Sequence, residues 1–301
     1  MTSPVNTHEA SQVDDPPVPM WRQRVKIFMG NKLAIVSCVY VIVLTLVCFL
    51  VPHLHPTNQT NQAIAFGTPQ SQPPSGSHWL GTDSTGYDVL GRIFFGGEYS
   101  LTLGFLAGFI TIVVGTLYGM ISGFLGGIVD TGMMRLIDAF LSIPYLFLLI
   151  TLITVFGRST IFLICIIGFT GWWGNARIIR GDALLIRHLD YANASTSMGA
   201  SKWHVIRRHV FPNSISNIVT VATFSVADAI LFLSALGFLG LGIQSPQTDW
   251  GTMLQSGTTQ IQNGFWWEVF PVAIVFILVV VAINYIGDAL RDAFEVRLLD
   301  R

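Results

Sequence analysis

The chemically capable residues of this 301-residue chain are few, and most sit in unusual places. Asp228 falls inside a long apolar run, where an ionisable side chain is costly and normally faces an interior or a polar path. Two readings stay open for it: a residue of a passage or its gate, or a structural partner within a helix bundle. Asn284 lies in another apolar run and is cheaper to bury. The seven histidines are scattered and the three cysteines (Cys38, Cys48, Cys165) fall in apolar stretches, so neither metal-ligand spacing nor a disulfide framework emerges. The three lysines (Lys26, Lys32, Lys202) occupy no GxxxxGK[ST] loop, so the chain supplies no phosphate cradle of that kind. No nucleophile–base pair is evident. These side chains suit binding or transit, and catalysis by this chain alone is not expected.

Basic charge gathers in YANASTSMGASKWHVIRRHVFPN at 191–213, with Lys202, Arg207, Arg208 and His209. Tyr191 to Met198 predicts one short helix, which Gly199 ends by taking a left-handed conformation. Ser201 caps a second helix, on which Trp203, Ile206 and Val210 share a face, and Pro212 marks its end. Two short helices about a glycine make a knob suited to a partner protein. A basic amphipathic segment lying on anionic lipid fits the same pattern.

The elements that position these residues follow from composition. Hydrophobic residues make up 51% and charged residues 11%, against about 25% charged in soluble domains. Six apolar runs reach spanning length, at about 33–52, 100–126, 139–156, 159–178, 214–242 and 267–287. The polar, proline-containing start has no apolar core and predicts a retained anchor, not a cleaved signal. With the N-terminus inside, four Lys/Arg precede the first span, Arg135 follows the second, six run from Arg177 to Arg208 and three close the tail. Only Arg92 and Arg158 fall outside. The positive-inside rule therefore predicts both termini in the cytoplasm.

The predicted organisation is a cytoplasmic tail (1–32), a first transmembrane helix (33–52) and an extracytoplasmic loop (53–99). A five-helix core (100–287) carrying the cytoplasmic loop 179–213 follows, then a tail (288–301). In the outer loop, Asp88 and Arg92 four apart, with Leu90, Ile93 and Phe94, predict a short amphipathic helix on the membrane surface; an ordinary loop is the alternative. Glycines 104, 108, 115, 119 and 123 share one face of the second span. That face allows close helix approach, within the chain or with a partner. Gly237, Gly240 and Gly242, with 244–250, read equally as a contact for an outside protein or as turn chemistry.

Four blocks carry a family resemblance. The basic stretch resembles the coupling loop of ABC importer permeases: Glu-Ala-Ala, three residues, Gly, then about nine residues to a hydrophobic residue and proline. Asn193, Ala194, Ser195, Gly199, Phe211 and Pro212 occupy those places. HWLGTDSTGYDVLGR at 78–92 is similar to the segment before the second span of C-type peptide and nickel permeases, with Tyr87 in place of an arginine. ALGFLGLGIQSPQTDWGTML (235–254) and FPVAIVFILVVVAINYIGDALRDAFEVRLL (270–299) are similar to their later blocks. A glutamate frequent in that family falls near Leu233 here.

The resemblance implies an all-α integral membrane protein with six transmembrane helices and the type I ABC importer permease fold, in the cell inner membrane. It implies a di- or oligopeptide permease subunit working by alternating access, with a nickel permease of the same family as the runner-up. An ion-gradient-driven transporter is the more distant rival. It assigns ATPase coupling to Asn193, Ala194, Ser195, Gly199, Ala200, Trp203, Ile206, Arg207 and Pro212, and the translocation path to Asp228 and Asn284. No cofactor belongs to this chain; ATP and Mg would be held by partner ATPase subunits. The implied partners are a homologous B-type permease, one or two ABC ATPases, an extracytoplasmic substrate-binding protein and membrane lipid, with no nucleic acid.

Overall fold

The computed structural model describes residues 20–54, 57 and 59–295, and the regular elements among them are helices. The ends of the expected tails, 1–19 and 296–301, lie outside the described residues. Where the rest of the N-terminal tail was expected, α1 (Met20–Gly30) lies along the last helix, with the Arg24 guanidinium 4.4 Å from the centre of the Phe294 ring.

Five helical runs are long and apolar enough to cross a membrane. They are α2 (Lys32–Leu54), α4 (Val89–Leu125), α7 with α8 (Thr160–Thr170 and Trp173–Ile186), the run Lys202–Phe238, and α13 (Phe270–Glu295). The expected third span, 139–156, is not one helix. Its residues divide between α5 (Gly127–Leu141) and α6 (Tyr145–Phe156), which meet at 82°. Pro144 causes the break, since it lacks an N–H and drives Ile143 away from helical geometry. With 12 residues, α6 alone covers about 18 Å of a bilayer core about 30 Å thick.

The surface helix expected before the second span is also corrected. Residues 89–99 belong to the same unbroken α4 as the span. Asp88 caps it, accepting the Gly91 N–H at 2.7 Å, and pairs with His78 Nδ1 at 2.9 Å instead of with Arg92. The buried Arg92 donates to the carbonyls of Gln59 (2.9 Å) and Pro246 (2.6 Å), and the Tyr87 ring lies 4.6 Å from it. The loop folds over the helix start, so the two charges are drawn to different partners.

The glycine face of α4 packs within the chain. Gly104 and Gly108 lie against Ile230 and Val226, and Gly115, Gly119 and Gly123 lie along α8. A Cβ at Gly119 would collide with the Ala176 carbonyl, and at Gly123 it would stand 2.8 Å from the Ala183 Cβ. The alternatives left by the sequence resolve toward helices packed backbone to backbone.

At the loop end of the bundle stand α3 (Gln62–Gly67) and α12 (Trp250–Gln260). Asp249 caps α12, accepting from Thr252 N (2.9 Å), Thr252 Oγ1 (2.7 Å) and Ile243 N (3.1 Å). A Cβ at Gly242 would lie 2.6 Å from the Asp249 carboxylate, and one at Gly237 would press on the same group. For these two glycines the turn reading wins: they make room for a buried carboxylate that latches α12 to the preceding helix. Burial pushes the Asp249 carboxyl above the usual range, while the bonds from Thr252, Ile243 and Gly251 oppose that rise.

Candidate coupling knob and intramembrane cavity

The first arm of the knob and its glycine turn form as the sequence predicts. Helix α9 (Asp190–Ser197) ends at Gly199, whose φ is +87°. The Gly199 N–H donates to Thr196 O at 3.0 Å and the Ala200 N–H to Ser195 O at 3.1 Å. This pair of bonds is a Schellman motif, which satisfies carbonyls the helix end would otherwise orphan. Ser201 then accepts the His204 N–H at 3.2 Å and opens α10 (Lys202–Val205). The rings of Tyr191 and His209 lie 5.6 Å apart and join the two arms.

The second arm is not a separate helix. Helix α10 passes through a π-helical turn (Ile206–Val210) into α11 (Phe211–Phe238) without a break. In that turn the Phe211 N–H reaches back five residues to Ile206 O. Pro212 has no N–H to give, and a wide turn accommodates the missing bond that an α-helix would interrupt.

The assigned knob residues divide by environment. Asn193, Ala194, Trp203, Arg207 and Pro212 are exposed, Ala200 is half-buried and Ser195 is buried. Asn193 donates its Nδ2–H to His188 O at 3.2 Å, fixing the start of α9. Ile206 and Val210 turn inward onto Met120, Ile179, Ala183 and Ile186, so they anchor the knob to the bundle. Its outward apolar surface comes from Met198, 82% exposed, and Trp203, 56% exposed. A Cβ on Gly199 would meet nothing within 4 Å, so only its backbone angle demands glycine.

Beneath the knob lies a polar brace that the sequence did not reveal. Arg180 on α8 grips Asp130 on α5 through two bonds of 2.5 and 2.6 Å, and Ser122 on α4 donates to the same carboxylate at 2.5 Å. Arg177 pairs with Asp138, and Asn217 on α11 donates to both oxygens of Asp182 at 2.8 Å. Opposite charges far apart in sequence carry no local signal.

The second site is a cavity of about 290 Å³ where the bend between α5 and α6 meets the junction of α7 and α8. Asp228 on α11 opens into it, together with Ser225, Asn175 and the rings of Tyr145, Trp173 and Phe232. Asn175 donates to Ser225 Oγ at 2.7 Å, and the Tyr145 and Phe232 rings meet edge to face at 4.6 Å. No hydrogen bond or ion pair among the described residues engages the Asp228 carboxylate. Asn284 is not brought to the cavity; it donates to Val280 O at 2.8 Å within its own helix. The sequence marked Asp228 and missed Tyr145, Trp173 and Asn175, because they arrive on α6 and α8, far from it in sequence.

Residues 115–300 match the family of binding-protein-dependent transport system inner membrane components. The chain belongs to that family of membrane permeases. Residues 19–74 of the permease also match the N-terminal transmembrane domain of oligopeptide transport permease C. It is 36% identical to the dipeptide transport system permease protein DppC of Bacillus subtilis over 290 residues, 96% of this chain and 90% of the relative. It is 35% identical to the oligopeptide transport system permease protein OppC of Haemophilus influenzae over 280 residues, 92% of this chain and 88% of the relative. A structure of the MetNI methionine ABC transporter shares its fold, with a TM-score of 0.54 at 21% identity, over 68% of the permease and 96% of that chain.

Proposed function

We propose that this chain is one of two membrane-spanning subunits of an ATP-driven importer of di- or oligopeptides, set in the inner membrane. The observation that carries the proposal is mechanical. The second arm of the knob and the wall of the cavity are one helix, Lys202–Phe238. A push on Trp203 is therefore delivered along α11 to Asp228. The helix does not need to bend, because Ile206 and Val210 seat its base in the core.

On this reading the knob faces the cytoplasm, a side that the excess of Lys and Arg in its loop supports. Asn193, Ala194, Ser195, Gly199, Ala200, Trp203, Arg207 and Pro212 form or shape the surface that sits in a groove of an ABC ATPase, and Ile206 secures it. ATP and Mg belong to that partner. A homologous permease supplies the other wall of the passage, and a binding protein delivers the peptide to the loop end. Substrate class follows from the peptide-permease relatives, which match along nine-tenths of the chain. Alternating access then consists of opening the cavity to one side or the other as the knobs are drawn together or released.

The test is to tag the chain, extract it gently from native membranes and identify its companions. A second permease, one or two P-loop ATPases and peptide uptake that ends when the chain is deleted are expected. Recovery of the chain alone, or only as a homo-oligomer, overturns the proposal.

A further inference from the structure

The cavity around Asp228 combines features that a simple passage does not need. A carboxylate stands in it without a cation from this chain. Among the described lining residues there is no lysine, arginine or histidine. The nearest arginines along α8, Arg177 and Arg180, are committed to Asp138 and Asp130. Three aromatic rings, Tyr145, Trp173 and Phe232, line the same space. Tyr145 meets both other rings edge-on, at 4.6 and 6.2 Å between centres, so the rings form a packed set. Aromatic rings and a carboxylate together suit an ammonium group, through direct charge pairing and cation–π attraction.

Resting on the peptide-importer reading above, we propose that this cavity is a transit site for a primary ammonium group, that of the peptide's amino terminus. The size limits what enters. About 290 Å³ is at the lower edge of ligand pockets in general, room for a terminal residue and not for an extended chain. The rest of the peptide, and its carboxylate, must lie toward the second permease. Asn175 is already held by Ser225 at 2.7 Å, and Ser225 donates to Val221 O at 2.7 Å. Asn175 and Ser225 thus bond to each other and to the backbone and not to Asp228, and the carboxylate is left for the incoming cation. Because Asp228 stands on the helix that ends in the knob, each movement of the knob would present the ammonium to one side and then withdraw it.

A cation for this carboxylate has a second source, a lysine or arginine of the partner permease, and the experiment separates the two. The assembled transporter is reconstituted in vesicles with its binding protein. Uptake is measured for a short peptide and for its des-amino analogue, with hydrogen in place of the amine, each scaled to its measured occupancy of the binding protein. The wild type is expected to carry the amino peptide at least tenfold faster than the analogue. Asp228→Asn should remove that preference by slowing the amino peptide alone, and Asp228→Glu should keep most of it. Phe232→Leu, which keeps an apolar side chain and deletes a ring, should lower the preference several-fold without loss of assembly. Equal slowing of both peptides by Asp228→Asn would assign the carboxylate to a cation of the partner and overturn the proposal, as would an unchanged preference. If Asp228→Asn does not assemble, Phe232→Leu decides alone by the same preference. Absence of uptake of either peptide by the intact wild-type assembly would instead overturn the importer reading itself.

Discussion

Trp203 and Asp228 stand on one continuous helix, Lys202–Phe238, with Pro212 accommodated between them by a π-helical turn. At 1.5 Å per residue they are about 37 Å apart along the axis. One end is an exposed aromatic on a knob, and the other a carboxylate in a cavity. A rigid connection between two such ends makes the effect of each local change calculable.

Gly199 should tolerate alanine poorly and valine worse, although there is space for both side chains. The cost is backbone strain at φ +87°, about 1–2 kcal/mol for a residue with a Cβ and more for a β-branched one. Uptake and retention of the ATPase on purification are expected to fall in the order Gly, Ala, Val. Equal uptake by all three would show that the turn angle does not matter.

Breaking the brace should destabilise the fold below the knob. Arg180→Met leaves the largely buried Asp130 with only the Ser122 hydroxyl. The expected loss is about 2 kcal/mol, under the full cost of stranding a buried charge because Arg180 is itself a third exposed. Adding Asp130→Asn should restore most of the thermal midpoint in detergent. A double variant as unstable as the single one contradicts the assignment.

Close packing predicts a contrast between two glycines. Gly119→Ala drives a methyl into the Ala176 carbonyl and should lower the thermal midpoint by several degrees, whereas Gly132→Ala meets nothing within 4 Å. The latter, in the interior of α5, should be neutral or stabilising by up to about 1 kcal/mol.

A pH effect belongs to Asp249, whose carboxyl is raised by burial. Raised affinity for a proton in the folded state means that its favourable contribution is complete below the ordinary carboxylate value. That contribution fades as pH rises through the raised value. The thermal midpoint of the wild type should therefore fall relative to that of Asp249→Asn across this window. A constant difference between the two would show that Asp249 does not titrate there.

The parts of this design that were legible in the sequence are those whose causes are local. Gly199 could be read because a glycine closes one helix and a serine two residues on caps the next, and the structure has both the left-handed angle and the cap. Most spans are legible because lipid demands long apolar runs. The bend at Pro144 was hidden, since the apolar pattern runs through it and a proline reads as a span end as readily as a break. The continuity of α4 was hidden for a different reason: Arg92, Glu98 and the paired glycines 96 and 97 interrupt the apolar pattern before residue 100, yet Asp88 caps a helix that never stops before Leu125. The join of knob to span was concealed by Pro212, read as a boundary and accommodated by the π-helical turn. The cavity and the brace draw their residues from distant segments, and local pattern cannot report them.

The most direct measurement places a photo-crosslinking residue at Met198, 82% exposed on the knob, and separately at Trp79, 74% exposed at the opposite end, in the assembled transporter. Met198 is expected to capture a P-loop ATPase subunit, in a manner altered by ATP, and Trp79 never to do so. Capture of the ATPase from Trp79, or of lipid alone from Met198, would contradict the role of this knob in coupling.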